Sequence, residues 1–528
     1  MMNEILRRRW ARWLLFFVLL LPSAQFAWRN RDMPKCGLLL DDGTVYSAAK
    51  SLVAGDGYRI PNLPGKPFET KYPPLYPWYL TAVWKLDPQF PANLRLATLL
   101  NWLLLIPYLG LAWVFFRRCG FSENRALLIA ALLGVNPYLI LMGTSVSIEV
   151  FFTCWLFVVF LVAERKSSGM AFVAGLAAGC AYLSRTAGIA LLVSIPLWYL
   201  WDRSWRRAAA FLAGMMPFVA GWILWTASHR LQTSDPALLY HTDYTAFFFQ
   251  NIDIHNVFLV AWRNLGELLL GMGSLVVPKV SVFRIEKLLA PPIALGMVAG
   301  LVRLARRGIA RPYALFALIS AAVLVVWNYP PNERLLLPLY PLLLAGLITE
   351  VEHLARMIQP GLRHVDRMQQ IAARALATAL ALVAGIALLL QFYGAFWFLP
   401  DLTVRDRARL IDRRAAYAWM VQNLPPSAKV LSLEDPLLYL YTGLSGSVLA
   451  LPTRDWYNGD HAAVIEAYRN VAAYCRSRGL QYFYSTADDL ARGTGDADIQ
   501  QVLQVVRENS ELTPIFTAGF GTIYRVRP

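Results

Sequence analysis

The sequence predicts a mainly α, polytopic membrane protein of about eleven transmembrane helices, with a small α/β domain on its C-terminal, extracytoplasmic side. Three observations carry that reading. Charged residues make up only 16% of the 528 positions and the mean hydropathy is +0.43, whereas soluble proteins average about 25% charged. Apolar runs of membrane-crossing length recur up to residue 397, and basic residues gather in alternate connections. From residue 400 onward the composition changes to 14 Arg and Lys against 14 Asp and Glu, the balance of a water-soluble fold.

A span needs about 20 mostly apolar residues. The runs are 10–28, 93–116, 125–143, 147–163, 170–186, 187–201, 208–227, 289–305, 312–328, 334–350 and 373–397. The first, with its basic start and Pro22-Ser23-Ala24, resembles a signal peptide. It extends to Trp28 and many spans follow, so an uncleaved anchor is expected. The fifth and sixth are short and joined tightly at Ser184-Arg185-Thr186.

Basic residues decide orientation, because short cytoplasmic loops are enriched in them. One set of connections holds Arg7, Arg8, Arg9 and Arg12; Arg117 and Arg118; Arg165 and Lys166; Arg203, Arg206 and Arg207; Arg303, Arg306, Arg307 and Arg311; and Arg356, Arg363 and Arg367. The opposite short loops, 144–146 and 329–333, hold none. The expectation is an N-terminus in the cytoplasm and a C-terminus outside. Residues 1–399 then form the membrane domain, with outer loops 29–92 and 228–288, and residues 400–528 form the outer domain.

The first outer loop carries interfacial helices at 42–54 and 75–86, the latter with the aromatic-plus-lysine character of a membrane anchor. The C-terminal region reads as a polar helix 403–423, strand 428–433, helix 435–442, strand 447–451, helix 460–478, strand 480–485, a helix near 496–509 and a closing strand pair around Gly521. Alternation of this kind indicates an α/β domain. It contains no GxGxxG or Walker loop.

The formal charge of +16 lies wholly before residue 400 and caps apolar segments, which argues against a nucleic-acid partner. The five cysteines show no metal spacing; Cys36 and Cys475 fall on the outer side, but a disulfide between them is not the expectation. No internal duplication is apparent, which weakens a transporter reading.

Ionisable residues at the membrane face are costly unless paired, hydrated or used. Asp41 and Asp42 stand immediately beyond the first span, ahead of a Gly-, Pro- and Tyr-rich loop. The bland reading of Asp42 is a helix cap. Glu149 opens the fourth span, where the helix dipole alone would favour it. Arg185 and Arg334 are cations in otherwise apolar outer-face segments, and Lys71 stands just before the Tyr-Pro-Pro run. Arginine grips phosphate bidentately; the bland readings are snorkelling, or an ion pair of Arg334 with Glu333. No cofactor is specified by the sequence. A divalent metal ion is the one candidate, with Asp42, Glu149 and His241 as ligands, although hard oxygen donors alone do not identify it. His241-Thr242-Asp243 and Asp253-Ile254-His255 fit no standard spacing.

Four features taken in order resemble the membrane-embedded GT-C glycosyltransferases, nearest the bacterial protein-mannosyltransferase-like and aminoarabinose-transferase-like enzymes. They are the acidic pair after the first span; Asp42-x-x-x-Tyr46-x-x-Ala49-x-x-Leu52-x-x-Gly55-x-Gly57-Tyr58; Tyr72-Pro73-Pro74-Leu75-Tyr76-Pro77; and Glu333-Arg334-Leu335-Leu336-Leu337-Pro338-Leu339-Tyr340-Pro341. The likeness covers residues 10–400. The family motif often reads Asp-Glu where this chain has Asp-Asp. The resemblance implies sugar transfer from a polyprenyl-phosphate donor to an acceptor glycolipid, glycan or protein at the outer face. Asp42 or Asp41 is then the general base, Glu149 a second acidic residue, and Lys71, Arg185, Arg334, Tyr46, Tyr72 and Tyr76 donor-binding. Membrane lipids are the surrounding partners. The competing classes are a lipid-linked sugar transporter or flippase and an O-antigen-ligase-like enzyme.

Overall fold

The structure is a computed structural model that describes residues 9–31, 36, 41–280, 284–361, 367–493, 499–519 and 521–528. Arg7, Arg8 and Arg363 of the orientation argument lie outside them. The chain divides into two compact units. One comprises the segment ending at Arg31 with Thr98–Val219 and Asn264–Leu402; the other comprises Asp32–Ala97, Ala220–Arg263 and Thr403–Pro528. The first outer loop therefore belongs to the same unit as the C-terminal domain.

The first unit is helical. Among the described residues, four helices combine the length and hydropathy to cross a membrane: Leu94–Arg118, Trp205–His229, Ile285–Arg306 and the stretch Arg374–Asn423. A fifth arises if Glu123–Gly134 and Pro137–Gly143, bent by 66° at their junction, count as one span. The protein is thus multi-pass, with four to five helices of that kind among the described residues. The runs at 147–163, 170–186, 187–201 and 312–328 fold as the shorter apolar helices Glu149–Ala163, Ser168–Ser184, Thr186–Trp201 and Arg311–Val325. A 15-residue helix rises about 22 Å, short of a hydrocarbon core about 30 Å thick. Hydropathy counts apolar residues; it does not see where a helix breaks.

The breaks have local causes. Asn136 caps Pro137–Gly143, its Oδ1 accepting from the Leu139 amide, and proline at the next position cannot continue the preceding helix. Pro338 separates the single turn Glu333–Leu336 from the helix Tyr340–Gly361. The Pro338 carbonyl accepts the Tyr313 hydroxyl proton, so a neighbour satisfies it, as an interrupted helix in a membrane requires. Helices pack where glycine lets backbones touch. A Cβ on Gly300 would lie 1.8 Å from the Gly346 carbonyl oxygen, and one on Gly175 2.1 Å from that of Phe211.

In the second unit a five-stranded mixed sheet runs β2-β1-β3-β5-β4, with β1 Lys429–Leu431, β2 Ser445–Ser447, β3 Tyr482–Thr486, β4 Leu512–Ala518 and β5 Gly521–Val526. Strands β1, β2 and β3 are parallel; β5 is antiparallel to β3 and β4. Side chains alternate between two covered faces. Val430, Tyr482, Tyr484 and Ile523 pack on Tyr417, Met420 and Leu438, while Leu431, Phe483 and Tyr524 pack on Val464, Val471 and Val502. The α/β expectation stands with shifted bounds. The second strand is Ser445–Ser447, earlier than 447–451, and the helix expected at 460–478 divides at Asn470 into His461–Arg469 and Val471–Ser477. Neither Cys36 nor Cys475 is in a disulfide among the described residues.

Candidate functional site

Two constellations contain the residues singled out in the sequence, one in each unit. In the second unit the helix Asp41–Ala54 begins at the acidic pair, so Asp42 lies in the first turn. Its Oδ1 accepts from the Gly43 amide at 2.9 Å. Asp41 Oδ1 accepts from the Tyr72 hydroxyl at 2.5 Å. That hydrogen bond spans the Gly- and Pro-rich loop and brings the acidic pair to the Tyr-Pro-Pro run. Burial, with the Asp41 charge, holds the Tyr72 phenol well above its ordinary pKa, so tyrosine is the donor in the pair.

Lys71 lies among aromatic rings, its ammonium 3.2 Å from the Tyr240 centroid, 4.8 Å from that of Tyr72 and 5.0 Å from that of Tyr244. Such faces hold a cation by their quadrupoles. Glu69, fully buried, accepts at Oε1 from the amides of Lys71 and Tyr72 at 2.8 and 3.0 Å and fixes the turn that presents them. Burial raises its pKa to about 7 against the pull of those amides. His241 is also buried, and neither ring nitrogen has a hydrogen-bond partner among the described residues. Burial and the Lys71 ammonium, opposed by Asp41, lower its pKa to about 3, so it is neutral. Tyr46 and Tyr76 are fully buried, Tyr46 against Trp84 and Tyr76 stacked with Tyr79.

In the first unit Glu149 opens the helix Glu149–Ala163 with its side chain buried. Its Oε1 accepts from Arg185 at 2.7 Å and from Arg334 at 2.6 Å, and Oε2 accepts from the Ser147 hydroxyl. Arg185 sits in extended backbone between Ser168–Ser184 and the short helix Thr186–Ala190; Arg334 lies in the one-turn helix capped by Asn332. Two guanidinium groups thus converge on one buried carboxylate. Such a cluster is chemically suited to an anion with several oxygens. Glu333, the neighbour expected to pair with Arg334, instead meets Lys279 at 2.8 Å.

Among the described residues no group of three or more His, Cys, Asp or Glu is arranged to hold a metal ion. Asp243 caps the helix Tyr244–Asn251, and Asp253 accepts from the amides of His255 and Asn256; these are turn and cap roles.

The whole chain is similar to solved structures. ArnT from Cupriavidus metallidurans bound to undecaprenyl phosphate matches over 98% of both chains, with a TM-score of 0.57 at 14% identity. The same enzyme in its apo state gives 0.51 at 16% identity over 92% of this chain and 93% of that one. The apo oligosaccharyltransferase of Archaeoglobus fulgidus gives 0.54 at 13% identity over 92% of this chain and 71% of its own. The fold is that of the GT-C membrane glycosyltransferases. At these identities the likeness is one of fold, and no protein-family model or curated protein sequence matches the chain.

Within this GT-C fold the structure joins Glu149 with both arginines, and Asp41 with Tyr72. Glu69, Tyr240, Tyr244 and Lys279 escape sequence reading. For Glu69 a signal was present, since it stands two residues before Lys71 in a loop without other acids after Asp56. Tyr240 and Tyr244 lie far along the chain from Lys71 and carry no such mark.

Proposed function

We propose that this protein is a glycosyltransferase that moves a sugar from a polyprenyl-phosphate donor to a hydroxyl of an acceptor glycolipid, glycan or protein at the outer face of the cytoplasmic membrane. The observation that carries the reading is the buried Glu149 carboxylate shared by Arg185 and Arg334, in a chain with a GT-C fold. A likeness to ArnT, solved with undecaprenyl phosphate, supports the class of donor.

Asp42 or Asp41 takes the proton of the acceptor hydroxyl. The oxygen attacks the anomeric carbon as its bond to phosphate breaks, and the electron pair leaves with the phosphate. One displacement inverts the anomeric centre. Arg185 and Arg334 offset the charge that grows on the leaving phosphate. Glu149 keeps the two guanidiniums close together despite their repulsion, and Tyr72 orients Asp41.

The test is sugar transfer in membranes carrying Asp41→Asn or Asp42→Asn, read by mass spectrometry of envelope glycolipids and glycoproteins. Loss of a general base lowers the rate about 10²–10⁴-fold, so at least one variant falls by that factor. Full transfer by both removes the base from the scheme. Arg334→Ala is expected to raise the KM for the donor more than that for the acceptor.

A further inference from the structure

The C-terminal domain grips the helix that carries the acidic pair. Asn62, fully buried, makes three of the contacts. Its Nδ2 donates to Asp435 Oδ2 at 2.7 Å, its Oδ1 accepts from the Ser47 hydroxyl at 3.4 Å, and its carbonyl accepts from the Gly446 amide at 2.7 Å. Ser47 lies on Asp41–Ala54, Asp435 opens the helix Asp435–Thr442, and Gly446 is in β2. Beside this clasp the two helices touch. A Cβ on Gly43, the residue after Asp42, would stand 3.0 Å from Pro436 Cβ. Glu434 and Asp435 are both buried, and Arg492 donates to Glu434 at 2.5 Å. Burial raises their pKa values to about 8 and about 7, and for Glu434 the Asp42 carboxylate adds to the rise.

Resting on the assignment of the base to Asp41–Asp42, we propose that Asn62 and Asp435 are positioning residues through which the C-terminal domain sets the angle of the acidic pair toward the acceptor hydroxyl. A domain used only to shield the membrane surface would need no buried side-chain hydrogen bond to Asn62, the residue that meets Ser47 on this helix. Catalytic groups tolerate little displacement: a shift of about 1 Å costs about 10² in rate.

The test uses the full chain in lipid nanodiscs and in cells, with Asn62→Asp, Asp435→Asn and the pair together. Asn62→Asp sets two carboxyl groups against each other. Asp435→Asn keeps an acceptor oxygen for Asn62, and the double variant restores a donor–acceptor pair with reversed polarity. Hydrogen exchange of the 41–54 amides is expected to quicken about tenfold in Asn62→Asp while β3 and β5 amides stay as in the wild type. Transfer to envelope products falls by a similar factor, and the double variant recovers both. Wild-type exchange and transfer in Asn62→Asp, or a double variant no better than it, overturns the proposal. If Asn62→Asp does not fold, Gly43→Ala presses on the same contact through Pro436, and unaltered exchange and transfer there counts against the proposal equally. The base assignment fails separately: Asp41→Asn and Asp42→Asn would then retain transfer, whatever the exchange of 41–54 shows.

Discussion

The Glu149 carboxylate and the two guanidiniums that meet at it make different demands on stability. Removing Arg185 or Arg334 leaves Glu149 with a guanidinium still against it, whereas removing the carboxylate leaves two half-buried guanidiniums without the acid they share. Breaking a buried pair so that a charge is left uncompensated costs about 3–5 kcal/mol. Glu149→Gln is therefore expected to lower the melting temperature in detergent more than Arg185→Gln or Arg334→Gln; equal losses in all three would show the cluster to be structurally indifferent. The cations were legible in the chain because they interrupt the alternation of basic loops. Their shared partner was not, since Glu149 lies 36 residues from Arg185 and 185 from Arg334. Likewise Asp41 was conspicuous as a charge at the end of a span, but its Tyr72 partner needed the loop to fold back.

Helices of the first unit meet through glycine, and this sets how much change each will bear. A Cβ on Gly300 would fall 1.8 Å from a carbonyl oxygen of the facing helix, whereas one on Gly385 meets nothing within 4 Å. Gly300→Val should force Ile285–Arg306 and Tyr340–Gly361 apart and destabilise by more than about 3 kcal/mol. Gly385→Val should stay within about 1 kcal/mol, since the side chain meets no neighbour there and valine is no poorer a helix former than glycine. Thermal unfolding of the two variants side by side checks the contrast, and similar melting temperatures would refute it. Apolar run lengths placed these elements correctly along the chain. They do not show where an apolar run is interrupted, as at Asn136-Pro137, because a break depends on what the freed groups can reach in three dimensions.

Across the molecule, pH acts most on the second unit. Burial raises Glu69, Asp435 and Glu434 to about 7, 7 and 8. In the window between an ordinary carboxyl pKa and these values the folded chain holds protons that the unfolded chain has released. Stability contributed by these groups therefore falls as pH rises from about 5 to 8. His241 has the opposite sign: lowered to about 3, it costs stability as pH drops below about 6.5. Glu434→Gln removes one ionisation, so its melting temperature relative to wild type should climb by several degrees between pH 5 and pH 8. Parallel curves would mean that Glu434 does not titrate in this window.

By itself the chain determined its solvent, its helical class, the soluble α/β region after residue 400 and the short motifs that point to a glycosyltransferase. Those properties follow from composition and from contacts a few residues apart. Only the tertiary structure decided which helices reach full length, that Glu149 answers two arginines, and that Asn62 ties the first loop to Asp435, 373 residues away. Buried charges and amides must find partners wherever the folded chain brings them, and the distance along the sequence has no bearing on that choice.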